Sequence, residues 1–523
     1  MKYVLPGTGF RLELDGRSLR IEDVVAFARG DAKCALSAEA VEKIEATRAL
    51  KRNLIEREVP IYGVTTGFGD SAHRQISALK SSGTGPLASP EVTRATMLLR
   101  ANCLAGGHSG VRLELVERLL FYLNNDILPL IPERGSCGAS GDLIPLSYVG
   151  SALVGEVEVL HDGEVKDSKE VLTELGLEPL ELEAKEGLAL TNGTSFMSAF
   201  AALAVWDAEE LALVSDLCTA MASEALLGNR GHFNAFIHEQ KPHPGQVESA
   251  RVIRELLESS ELALDSEEIF AGDGLGGKEF LELDRQVQDK YSIRCAPHVN
   301  GALRDTLQWV RRWVEIEINS SDDNPLFDVG SGRVQSGGNF YGSHITQAMD
   351  SLKIAVANLC DLMDRQLELV VNEKFNASLT PNLVPFFDED SPETGLHHGF
   401  KGMQLCCSAM TAEALKLSNP ASVFSRSTEA HNQDKVSMGS IAARDARAIV
   451  ELAQNVAAIH LLALCQALDL RGTRNASQRT RTAHELVRSR VSFLEGDRRM
   501  DADIKEIVDL IRSGELSKTA IPD

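Results

Sequence analysis

The 523-residue chain is short of positive charge: 53 lysines and arginines face 76 acidic residues, a formal balance of −23. Nucleic acids and anionic membranes are held through clustered Lys and Arg, so neither is expected as a partner. Long apolar runs are missing too. The opening residues Met1-Lys2-Tyr3-Val4-Leu5-Pro6-Gly7 do not lead into an apolar stretch, which argues against a signal peptide. No stretch approaches the roughly 20 residues of uninterrupted apolar sequence that span a bilayer. The nine cysteines form no CxxC and no zinc-like spacing, so they are expected to be reduced core thiols of a cytoplasmic protein. A GxSxG elbow, the usual sign of a serine hydrolase, is absent. The glycine run Gly272–Gly277 follows no strand and opens no helix, which excludes a nucleotide loop. His108 and the pair His397-His398 lack acidic or Cys partners at ligand spacing and read as loop histidines, so no metal is expected. Repeats, linkers and low-complexity tracts are also lacking.

What is present describes an ordinary globular chain, 43% hydrophobic and 25% charged, able to bury a large core. Phe10, Leu12 and Leu14 alternate with polar residues before Gly16, predicting a short hairpin and then a helix over 9–28. Ser37 is placed to cap a helix running to Arg52, with Val41, Ile44, Ala46 and Leu50 on one face. Helix, glycine turn at 106–110 and helix follow over 89–130, and a strand pair surrounds Asp162-Gly163. Beyond Asn192, long apolar-periodic helices are predicted at about 196–227, 301–320, 343–373, 399–417 and 436–470. The stretches 265–278 and 388–395 read as surface loops. The expected class is mainly α: an elongated long-helix bundle (196–523) with a smaller mixed α/β N-terminal region (1–195), as one continuous unit. Elongated Leu- and Ala-rich bundles commonly pack against copies of themselves, so a homo-oligomer is expected.

One stretch, Gly138-Ala139-Ser140-Gly141-Asp142, has two readings. Read alone, it is a tight turn ending at Asp142 as a helix N-cap. Alternatively, the Gly141 nitrogen closes on the Ala139 carbonyl carbon and Ser140 loses water, leaving an exocyclic methylidene, an electrophile that no side chain supplies. Its company decides between them. Ile61-Tyr62-Gly63-Val64-Thr65-Thr66-Gly67-Phe68-Gly69 lies upstream. Leu190-Thr191-Asn192-Gly193-Thr194-Ser195, Tyr291-Ser292-Ile293-Arg294-Cys295-Ala296-Pro297, Asn319-Ser320-Ser321-Asp322-Asp323-Asn324-Pro325 and His431-Asn432-Gln433-Asp434 lie downstream. In this order, over about residues 10–495, they resemble the aromatic amino-acid ammonia-lyase and aminomutase family.

The resemblance implies a methylidene-imidazolone made from Ala139-Ser140-Gly141, no external cofactor, an aromatic amino acid as substrate, and a homotetramer whose sites are completed by neighbouring subunits. Tyr62 takes the place of the family's loop base; with an ordinary pKa near 10 it needs nearby positive potential. Arg294, a planar fork suited to a carboxylate, matches the family's substrate-carboxylate arginine. Asn192 and Tyr291 match positions beside the ring. Phe340, Asn339, Gln433 and Glu429 line the pocket or lie near the amine, and Gly69 belongs to the loop that approaches the substrate.

Leu79-Lys80 occupies the family's side-chain selectivity position, in a segment between Gly69 and Gly83 shorter than in typical relatives. Leu79 suits an apolar ring; Lys80 is left to point outward, pair with Glu429 or meet a polar substituent. With Gly399–Gly402 and Glu429–Asp434, this favours phenylalanine or a related arylalanine, the short lid favouring release of arylacrylate and ammonia. The alternatives are an aminomutase giving a β-amino acid, a histidine or tyrosine ammonia-lyase, and, more remotely, an inactive helical scaffold.

Overall fold

The computed structural model describes residues 9–66, 81–271, 274–283, 286–388 and 390–519. The longest helices, Ser195–Ala225, Ala296–Glu317, Ser343–Val371 and Gly439–Arg471, fall on the predicted apolar-periodic stretches, as does Lys401–Leu417. Their length follows from composition: Ser195–Ala225 contains no Gly or Pro, and Gly439–Arg471 contains none after its first residue. Gly472, left-handed with φ 96°, ends the latter. The described strands are short and form small sheets of two or three strands, so the class is mainly α, as expected.

Ser37 does cap its helix, its Oγ accepting the Ala40 N–H at 3.1 Å ahead of Ala38–Glu56. Pro90–Ala105 and Leu113–Asn124 flank the glycine turn, and Glu158–His161 pairs with Glu164–Asp167 around Asp162-Gly163. The N-terminal hairpin is corrected. Arg11–Leu14 pairs in parallel with Lys33–Leu36, across the helix Ile21–Arg29. Alternation identifies a strand but not its partner, and a parallel partner needs the crossover that this helix supplies. Within 265–278, Ser266–Ile269 forms one helical turn.

Two compact units interleave along the chain. The first comprises the described parts of Met1–Trp206, Val310–Ser351 and Pro420–Arg447; the second those of Asp207–Trp309, Leu352–Asn419 and Ala448–Asp523. Four of the five boundaries fall inside the four longest helices, and the fifth lies between Asn419 and Pro420. In the first unit, helix Pro90–Ala105 is buried along most of its length, including Arg100, Asn102 and Cys103. Beside it, Leu54, Ile61 and Phe327 form a buried cluster joined by Leu50, Val59, Val64 and Val334. In the second unit, the buried Asp216 accepts hydrogen bonds from Ser249 Oγ (2.5 Å) and Asn300 Nδ2 (2.6 Å) and pairs with Arg304.

All nine cysteines are free thiols. Cys406 is exposed while its neighbour Cys407 is buried, so the reading of all nine as core thiols is corrected: adjacent residues on the helix Lys401–Leu417 face different sides. Helix Gly439–Arg471 is long and apolar enough to cross a membrane, and 78% of its apolar window is buried inside the protein.

Candidate active site

The loop before helix Leu143–Leu153 runs through left-handed backbone at Gly138 (φ 79°), Ser140 (φ 51°) and Gly141 (φ 76°). A Cβ on Gly141 would lie 2.1 Å from the Gly193 carbonyl oxygen, and one on Gly138 2.1 Å from Ser437 Oγ. Only glycine fits at either place. Gly141 and Gly193 form a parallel bridge, with the Asp142 N–H donating to Gly193 O at 2.7 Å. On the other side the Met438 N–H donates to Cys137 O at 3.0 Å.

Asp142 occupies the N-cap position, but its carboxyl makes no cap bond, correcting that expectation. It accepts instead from Met197 N–H at 2.8 Å, Ser136 Oγ at 3.0 Å and Ser440 Oγ. Burial pushes its pKa up to about 6 against those three donors.

Two amides converge on Ser140. Asn192 Nδ2 donates to its carbonyl oxygen at 2.9 Å, and Gln433 Nε2 donates to its Oγ at 2.9 Å. Gln433 stands at the end of a tight turn closed by Thr428 N–H to Gln433 O (3.0 Å) and Gln433 N–H to Thr428 O (3.3 Å). Inside that turn Glu429, Ala430 and His431 are all left-handed, at φ 50°, 51° and 64°. Each such non-glycine residue costs about 1–2 kcal/mol, strain that collects at functional sites. Asn432 Nδ2 donates to Glu429 Oε2 at 2.8 Å. Tyr62 sits on a turn in which Ile61 O accepts from Val64 N–H (3.1 Å) and Thr65 N–H (3.0 Å), with Ile61 rooted in the Leu54–Phe327 cluster.

Around Ser140 opens a cavity of about 400 Å3. Of the residues singled out from sequence, Tyr62, Ser140, Asn192, Phe340, Glu429 and Gln433 line it together. Leu143, Leu188, Asn324, Tyr341, Asn432, Asp434 and Lys435 line it as well and had been given no role; Asn324, Asn432 and Asp434 lie inside motifs already noted, which was the available signal. Asn339 lies outside that lining and donates to Ser321 O at 3.1 Å. Tyr291 and Arg294 belong to the second unit, where the Arg294 guanidinium lies 4.6 Å from the centre of the 72%-exposed Tyr291 ring and its Nε donates to Asp289 O at 3.1 Å. Gly69, Leu79 and Lys80 lie outside the described residues.

The loop histidines are engaged locally. His108 Nδ1 is 2.8 Å from Ser321 Oγ, and His397 Nε2 is 2.8 Å from Glu393. Among the described residues no group of three or more His, Cys, Asp or Glu side chains is arranged to hold a metal ion. Sequence reasoning also missed the buried charges behind Asn192: Arg100 with Asp322, and Lys185 with Asp323.

Known proteins place this geometry. The aromatic amino acid lyase family model matches residues 19–489. A histidine ammonia-lyase of Gloeobacter violaceus is 42% identical over 518 residues, covering 97% of this chain and 96% of the relative. Among solved structures, tyrosine aminomutase from Streptomyces globisporus superposes with a TM-score of 0.91 at 38% identity, covering 97% of this chain and 98% of its own. Phenylalanine aminomutase of Pantoea agglomerans gives a TM-score of 0.89 at 31% identity, covering 96% and 99%. A long-helix fold carrying this pocket defines an enzyme acting on a small amino acid, a carbon–nitrogen lyase. The chain belongs to the aromatic amino acid lyase family.

Proposed function

We propose that this chain eliminates ammonia from an aromatic L-amino acid, phenylalanine or a related arylalanine, to give an arylacrylate. The observation that carries the reading is the single cavity lined by Tyr62, Ser140, Asn192, Phe340, Glu429 and Gln433. Its volume of about 400 Å3 suits a small ligand.

The residues present fit a methylidene-imidazolone at Ala139-Ser140-Gly141. Gly141 has no room for a Cβ, the backbone is already turned left-handed at Ser140 and Gly141, and two amide donors point at Ser140. Once formed, the group supplies the electrophile for the substrate amine. The remaining work falls to the chain's own side chains. Tyr62 takes the β-proton, Phe340 and Leu188 pack the ring, and Glu429 lies by the amine. Asn192 holds the Ser140 carbonyl oxygen with its amide. Arg294 binds the substrate carboxylate with Tyr291 alongside; in a homotetramer a neighbouring copy would present them. A cytoplasmic setting agrees with nine free thiols.

A histidine substrate is the second reading, favoured by the name of the 42%-identical relative and by the carboxyl groups of Glu429 and Asp434 in the same cavity. An aminomutase is the third, favoured by the structural relatives. Offering phenylalanine, tyrosine and histidine separately, following acrylate by absorbance and β-amino acid by chromatography, tests all three. Cinnamate from phenylalanine supports the proposal. Product from histidine alone, or a β-amino acid as the main product, overturns it.

A further inference from the structure

Asn192, Gly193 and Thr194 stand between two sets of partners. On one side are Ser140, Gly141 and Asp142, through the bonds given above. On the other is a fully buried ion pair. Arg100 Nη1 donates to Asn192 O at 2.8 Å, and its Nη2 donates to Asp322 Oδ1 at 2.5 Å. Asp322 Oδ2 accepts the Thr194 N–H at 2.7 Å, and Cys103 Sγ donates to Oδ1 at 2.9 Å. The pair presses directly on the backbone: a Cβ at Gly193 would lie 2.2 Å from Arg100 Nη1 and 2.7 Å from Asp322 Oδ1.

The proton count extends the chain by one residue. Thr194 Oγ1 lies 2.8 Å from Asp322 Oδ2 and 2.7 Å from Glu317 Oε1, yet carries a single hydrogen. Asp322 has Arg100 as its counter-charge, so it takes the threonine proton as acceptor, and Glu317 supplies its own proton to Thr194 Oγ1. Burial of Glu317, near Asp322 and Asp142, agrees by holding its pKa up to about 7.

We infer that Arg100, Asp322, Thr194 and Glu317 form a positioning chain that clamps Asn192-Gly193 against Ser140-Gly141 so that the ring can close. None of the four touches substrate; they act through the Asn192 amide and the Gly193 carbonyl. The inference rests on the prosthetic-group reading above. Ring closure releases two waters, one as the Gly141 nitrogen bonds to the Ala139 carbonyl carbon and one as the Ser140 hydroxyl leaves with its α-proton. A clamp that sets the approach of nitrogen to carbon therefore governs how many chains become lighter. Misplacing reacting atoms by about 1 Å slows reaction on the order of a hundredfold.

The test uses full-length wild type, Thr194→Ser, Thr194→Val and Arg100→Lys, with intact mass and a melting curve for each. Thr194→Ser keeps the hydroxyl and should be two waters lighter, like wild type. Thr194→Val keeps the volume but no hydroxyl, and Arg100→Lys keeps the charge but not the fork. Both should melt cooperatively with at least about tenfold fewer dehydrated chains. Folded, fully dehydrated Val and Lys variants overturn the inference. So does a Thr194→Val chain that cannot fold, because the network would then hold the fold and not the loop. A wild type at full mass overturns the prosthetic-group reading and this inference with it; dehydrated wild type beside dehydrated variants overturns the inference alone.

Discussion

Replacing Glu317 by glutamine should stabilise the protein at alkaline pH and leave it unchanged in acid. Burial lifts the pKa of the Glu317 carboxyl from the ordinary 4.5 to about 7, with Asp322 and Asp142 adding to the rise. A raised carboxyl pKa means the folded protein holds a proton that the unfolded chain releases. Stability from this group is therefore complete below 4.5 and is lost as pH rises through about 7. The gap corresponds to about 3 kcal/mol at most. Glutamine cannot ionise, and its amide can donate to Thr194 Oγ1 as the protonated acid does. Urea unfolding of wild type and Glu317→Gln between about pH 4 and pH 9 reads the difference. The curves should meet in acid and diverge by up to about 3 kcal/mol in base, with glutamine the more stable. The remaining slope in the variant should lie between 3.8 and about 6, from Asp142. A variant no more stable than wild type at about pH 9, or one with an unchanged slope, refutes the assignment of a buried neutral acid.

Four further outcomes can be checked. Ser140→Ala should leave the chain at full mass with turnover lost. Tyr62→Phe should keep the dehydrated mass while turnover falls by about 10²–10⁴, read from acrylate absorbance. Gly141→Ala puts a Cβ 2.1 Å from Gly193 O and should either fail to dehydrate or push the two segments apart, seen by intact mass and a lower melting point. Arg294→Gln should raise KM for the amino acid by roughly tenfold or more, since a charge-assisted bond to the carboxylate contributes about 1.5–3 kcal/mol.

Helices were legible in this sequence because a 3.6-residue apolar repeat and residues such as Ser37 fix them locally. Tyr62, Ser140, Asn192, Glu429 and Gln433 were legible through their motifs and Phe340 through the resemblance alone, and the cavity gathers them. What stayed hidden depends on distant partners. Arg11–Leu14 advertised a strand but not the parallel mate beyond a crossover helix. Asp142 looked like a cap because nothing local reveals Ser440, 298 positions away, as its partner. Arg100 and Asp322 lie 222 positions apart, and a buried arginine carries no periodic signature before its carboxylate is found. The left-handed run Glu429-Ala430-His431 contains no glycine to announce it.

The most direct measurement is the intact mass of freshly purified, unsubstituted protein. A self-made electrophile at Ala139-Ser140-Gly141 predicts a chain lighter than its sequence by two waters, with Ser140→Ala at full mass beside it. An unsubstituted chain at full mass would contradict the account at its centre.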